Sequence, residues 1–203
     1  MSMLSLVAML ALAAPSSSPA RPASAIATPQ DSCNIVYGDN WAFLAEAPKG
    51  WSSACGNQAM SGTVLTLWPS NEPTDAIKAA MYVTVSALEH ESLDDFVKGD
   101  IENTMTDYAK SKAENAQHPP MHIGKVKVLS PTRRLVHVEH AIGDRDELVE
   151  YIKGPTAYFI VALTTQTAAM TAVYRPAFKA FLGSFSPATI KFENGAKPQT
   201  TKH

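Results

Sequence analysis

RRLVHVEHAIGDRDELVEYIKGPTAYFIVALTT (residues 133–165) reads as three consecutive β-strands, Arg133–Ile142, Glu147–Lys153 and Ala157–Thr165. The breaks between them, Gly143-Asp144-Arg145-Asp146 and Gly154-Pro155-Thr156, are made of turn-forming residues. Neither break is long enough to carry a crossover helix, so the strands must run antiparallel. A fourth run, Met121–Leu129, precedes them across Ser130-Pro131-Thr132 and extends the meander. In the last strand Tyr158, Ile160 and Ala162 point one way and Phe159, Val161 and Leu163 the other. A strand that is apolar on both sides implies that helices cover both faces of its sheet.

Two segments have the helical period. Leu93, Phe96, Val97, Ile101, Met105 and Tyr108 recur at three- and four-residue spacing. Ser92 stands ready to cap, and Asp94 and Asp95 occupy the first turn, where carboxylates favour the positive end of the helix dipole. The expectation is a helix of about six turns ending before His118-Pro119-Pro120. Thr167–Leu182 is a second helix, with Met170, Val173, Tyr174, Phe178 and Phe181 on its apolar side and a kink or broken turn expected at Pro176. Toward the N-terminus, Asn34–Tyr37 and Trp41–Ala47 flank Gly38-Asp39-Asn40 as a hairpin. Thr63–Trp68 and Met81–Leu88 are further strands, and Trp51–Gly62 reads as a loop carrying Cys55. The expected class is α+β, a largely antiparallel sheet flanked by helices on both faces.

The opening Trp41-Ala42-Phe43 with Ala47-Pro48-Lys49-Gly50-Trp51, the helix start Ser92-Leu93-Asp94-Asp95-Phe96, and the ending Phe181-Leu182-Gly183-Ser184-Phe185 together resemble the PsbP-like superfamily. The resemblance implies an α/β/α sandwich. That superfamily includes an extrinsic photosystem subunit, a nuclear-import factor that binds a small GTPase, and bacterial periplasmic proteins. Partners so different mean that the shared motifs carry fold and no particular activity. Gln30-Asp31-Ser32 ahead of Cys33 is not a lipobox, so the lipid anchor of some members is not expected here.

Leu4–Ala14 is an apolar run followed by Pro15-Ser16-Ser17-Ser18-Pro19. A helix over the run would be about 16 Å long, too short for a bilayer and suited to the core of a secretory signal. Ala23-Ser24-Ala25 supplies small residues for cleavage. The expected organisation is a signal peptide at 1–25, a linker at 26–33, one domain at 34–193 and a polar tail at 194–203. In an oxidising compartment Cys33 and Cys55 form one disulfide, which contributes about 3 kcal/mol by closing a loop of that size. The formal charge of −2 gives no basic surplus for nucleic acid, and no other segment has the apolar length of a membrane span.

Nucleophile-elbow, phosphate-loop, dinucleotide and zinc-helix motifs are absent. The one acid–base constellation comes from strand pairing. If Gly143–Asp146 is a four-residue loop, Glu139 faces Glu150, with His137 on the same face. Opposed carboxylates need a cation or a shared proton, so His137, Glu139 and Glu150 are the candidate catalytic or metal-binding trio. The structural alternative is a one-residue slip, or neutralisation by Lys125 or Lys127. Trp51 is the candidate binding residue, on a loop held by a rigid scaffold, with a core role as its alternative. The preferred expectation is an exported, non-enzymatic binding or accessory protein with a protein or small-molecule partner and no cofactor or metal. A small hydrolase using His137, Glu139 and Glu150, and an immunity or inhibitor protein for a secreted effector, are the alternatives.

Overall fold

The apolar residues 157–165 form the central strand of an eight-stranded sheet whose pairings are all antiparallel. A computed structural model describes residues 33–73, 77–89, 92–114, 117, 119–141 and 144–189. The expected signal, all of the linker but Cys33, and the tail lie outside them.

In chain order the strands are β1 (Ile35–Tyr37), β2 (Ala42–Leu44), β3 (Trp51–Cys55), β4 (Leu65–Pro69) and β5 (Ala79–Ala87). Helix α1 (Leu93–Glu114) then leads to β6 (His122–Ile123), β7 (Lys127–Ser130), β8 (Arg133–Ala141), β9 (Arg145–Lys153) and β10 (Ala157–Thr165). Helix α2 (Ala168–Ser184) and β11 (Ser186–Ala188) close the chain. The large sheet runs β3-β4-β5-β10-β9-β8-β6, with β7 also on β8, and β1-β2-β11 form a separate three-stranded sheet. Helix α1 therefore carries the chain from β5 to the far edge, and the meander returns until β10 pairs with β5.

The two sides of β10 seed two cores. Tyr158 and Ala162 pack with Phe96 and Val97 of α1, while Phe159, Val161 and Leu163 pack with Phe178, Phe181 and Leu182 of α2. Phe43 of the small sheet joins the second core, stacking on Phe185 at 4.7 Å between ring centroids. The sheet is thus covered by a helix on each face, as the two-sided apolar pattern requires.

Local chemistry fixes the helix ends. Ser92 Oγ accepts from the Asp95 amide at 3.1 Å and donates to the Asp95 carboxylate at 2.6 Å, a reciprocal cap. Asp94 in the same turn accepts from the Arg134 guanidinium at 2.7 Å, which ties the start of α1 to β8. Thr167 caps α2 by accepting from the Met170 amide. Helix α2 continues through Pro176 rather than ending there.

Three local expectations are corrected. Met121–Leu129 is two short strands rather than one, because residues 124–126 leave the ladder while the Gly124 amide still donates to the His137 carbonyl at 2.8 Å. Trp51–Cys55 is an edge strand paired with β4, where a loop was expected. Residues 186–188, given no element from the sequence, pair with β2.

Candidate functional site

Helix α2 lies mainly over β5, β9 and β10, which leaves the same face of β8 and β7 unroofed beyond it. The gap is a cleft of about 760 Å³, within the size range of small-molecule sites. Its floor is apolar, made by Leu135 and Leu148 from the sheet and Phe178 and Leu182 from α2. Its rims are cationic. Lys125 and Lys127 come from the β7 side, and Arg175 and Lys179 from α2. These four side chains have no ion-pair or hydrogen-bond partner among the described residues.

At one end of the floor, Arg133 donates to Glu150 at 3.1 Å and to the Phe185 carbonyl at 3.2 Å. Glu150 is 3% exposed. Burial raises its carboxyl above the ordinary range, and Arg133 opposes that rise. Glu150 is therefore occupied as the counter-ion of Arg133. The cleft holds five cationic side chains and this one carboxylate, in a chain whose formal charge is −2.

The expected pairing of Glu139 with Glu150 does not form. Glu150 lies opposite Leu135, and His137 opposite Leu148. The turn is tighter than a four-residue loop, since Ala141 already pairs with Arg145. Glu139 and His140 then face the single residue Asp146, a β-bulge in which His140 takes φ 52°. His140 Nδ1 is 2.6 Å from Asp144 Oδ1, which holds the bend. His137 and Glu139 stay side by side, Nδ1 to Oε1 3.9 Å, but Glu150 is bound elsewhere. The trio His137, Glu139 and Glu150 does not assemble as an acid–base site, and the hydrolase reading built on it falls.

The partner of His137 is a residue the sequence reading had placed in a turn. Asp146 begins the buried part of β9, is 4% exposed, and its Oδ1 lies 2.9 Å from His137 Nε2. That contact orients the imidazole in the cleft wall. Among the described residues no group of three His, Cys, Asp or Glu side chains is placed to hold a metal ion.

Trp51 stands at the other edge of the sheet, its ring edge-on to Tyr174 of α2 at 5.6 Å. Tyr174 in turn donates to Glu72 at 2.9 Å. Cys33 and Cys55 are joined in a disulfide that ties the approach to β1 to the end of β3. Among the described residues no helix is long and apolar enough to cross a membrane.

The opposite face of the sheet holds its own polar groups beneath α1. Tyr151 donates to Asp100 at 2.8 Å, and Glu147 accepts from Tyr82 and Thr164. Burial raises the carboxyls of Asp100 and Glu147, and it also raises both tyrosine hydroxyls.

No protein-family model matches this chain, and no curated protein matches it. Among solved structures, the chain is similar to cyanobacterial PsbP from Synechocystis sp. PCC 6803, with a TM-score of 0.42 and 16% identity over 81% of this chain and 98% of that one. A protein of unknown function from Pseudomonas aeruginosa aligns with a TM-score of 0.41 and 17% identity over 68% of this chain and 83% of that one. Neither likeness is close enough to bring a function with it.

Proposed function

We propose that this chain is an exported, non-enzymatic binding protein of the periplasm or cell exterior whose cleft between α2 and the β7–β8 edge takes an anionic small molecule. The observation that carries this reading is the set of four cations, Lys125, Lys127, Arg175 and Lys179, around one cavity and unpaired among the described residues. Cations that have no internal partner and share a concave site attract an anion and raise its local concentration. Export is supported by the apolar run at 4–14 and by the Cys33–Cys55 disulfide, which belongs to an oxidising compartment. The signature residues Trp41 to Trp51 and Phe181 to Phe185 agree with a place among the exported bacterial members of the PsbP-like group.

Native mass spectrometry of unreduced protein, purified from the periplasm of an expressing bacterium, tests both halves. Export predicts a chain that begins after Ala25 and is lighter by two hydrogens. Anion binding predicts that added naphthalene sulfonate forms an adduct, and that the double variant K125E/K179E does not. A full-length reduced chain overturns export. Equal adducts in the two proteins overturn the cleft as the binding site.

A further inference from the structure

We infer that the ligand of this cleft is a single-chain amphiphilic anion, a carboxylate or a phosphate monoester on an alkyl chain, with its head between the cationic rims and its chain on the leucine floor. The inference rests on the anion-binding reading above and names the ligand class.

A small hydrated anion would use only the rims. It would leave the exposed part of the apolar lining, the partly buried Leu135 and the half-exposed Leu129, in water, where an alkyl chain would cover it. A neutral lipid would use only the floor and would leave the rims unneutralised. The rims themselves are costly to the empty protein. Arg175 and Lys179 are four residues apart on α2 and so lie on one side of the helix, where like charges repel. Lys125 and Lys127 line the same cleft from the β7 side, which places a second like-charged pair along the other rim. Folding brings the two pairs to one cavity with no carboxylate between them, because Glu150 is already held by Arg133. An anionic head relieves both pairs at once.

The apolar surface also continues outward. Leu129 lines the cleft from β7 and is 50% exposed, so the floor runs from the buried Phe178 and Leu182 to an open mouth at the sheet edge. A chain lying along that path is covered at its inner end and emerges beside Leu129. One alkyl chain suits this path. Two chains on one glycerol would need a second apolar channel, and the rest of the lining is charged side chains, His137 and two glycines.

Isothermal titration calorimetry on the mature chain, with acetate, hexanoate, octanoate and decanoate kept below micelle formation, tests the inference. Affinity should rise about fourfold for each methylene added, or about two orders of magnitude from hexanoate to decanoate. K125E/K179E, which changes two exposed side chains, should weaken decanoate at least about tenfold. Leu135→Gln should flatten the chain-length dependence while naphthalene sulfonate still binds. If decanoate binds no better than acetate while K125E/K179E still abolishes anion binding, the site takes small anions and the inference fails alone. If no anion binds, the proposed function fails with it. Decyl maltoside binding as tightly as decanoate overturns the inference by removing the role of the head. So does binding to phosphatidylglycerol vesicles without binding to monomeric decanoate, since the occupant would then be a membrane surface. Circular dichroism of each variant establishes that it is folded.

Discussion

On the α1 face of the sheet, Tyr151 donates to Asp100 and Tyr82 to Glu147, so these four groups have partners inside the protein. On the α2 face, Lys125, Lys127, Arg175 and Lys179 surround an apolar cleft with no such partner. Both faces place ionisable groups beside a hydrophobic core. On the first, folding itself completes the polar network, and Phe96 lies flat on Tyr158 at 4.3 Å to seal it. On the second, Arg133 is matched with Glu150 and His137 with Asp146, and the four cleft cations are matched with no group among the described residues. Satisfied polar groups under a helix belong to stability, and unsatisfied cations around a cavity belong to recognition.

The largest effect should come from unsealing the first face. Phe96 is 5% exposed, stacked on Tyr158 and edge-on to Tyr151 at 6.1 Å. Phe96→Ala should cost about 3–5 kcal/mol in urea denaturation, because the cavity sits under a helix held by few other apolar anchors. A loss below about 1 kcal/mol would mean that α1 closes its face by other means. Next in size is the Arg133–Glu150 ion pair on the second face. Arg133→Met leaves Glu150 buried without its cation and should cost about 2 kcal/mol, less than a fully buried pair because Arg133 is 30% exposed. Adding Glu150→Met should recover most of that loss. If the double variant is no better than the single, Arg133 acts through its bonds to the Leu182 and Phe185 carbonyls rather than through its charge.

Much of this contrast was legible in the sequence, and the missing part has two causes. The two-sided pattern of 157–165 gives the central strand and the helix on each face, and the caps at Ser92 and Thr167 fix where the helices begin. Spacing alone could not reveal the bulge at Glu139–His140, because a bulge adds a residue without altering composition on either side of it. The turn closing at Ala141–Arg145 shifts the register by three residues and the bulge by one more, so Glu150 faces Leu135 instead of Glu139 and forms an ion pair with Arg133. The cleft was hidden for a different reason. Lys125 and Lys127 precede Arg175 and Lys179 by about fifty residues in the chain, and only the path of α2 across β5, β9 and β10 brings them to one cavity. Lys125 and Lys127 neutralise no carboxylate among the described residues.

The smallest effect is also the most direct reading of the sealed face. Glu147 sits beneath α1 with its carboxyl raised, first by burial, against the bonds from Thr164 and Tyr82 and the charge of Arg145 that lower it. A carboxyl raised in the folded state holds its proton more tightly there than in the unfolded chain. The unfolded chain therefore binds fewer protons across the window, and stability falls as pH rises. The contribution is fully present below about pH 4, the ordinary carboxylate range, and is lost as pH climbs through the raised folded value. Asp100 and Glu150 act in the same direction, and Asp94, lowered by its bond to Arg134, acts in the other. Glu147→Gln keeps an acceptor for Tyr82 and cannot ionise. Its melting temperature should match the wild type near pH 4 and exceed it at neutral pH. Parallel curves for the two proteins would mean that Glu147 reaches water in the folded state. The two faces would then differ less in their access to solvent than their hydrogen bonding implies.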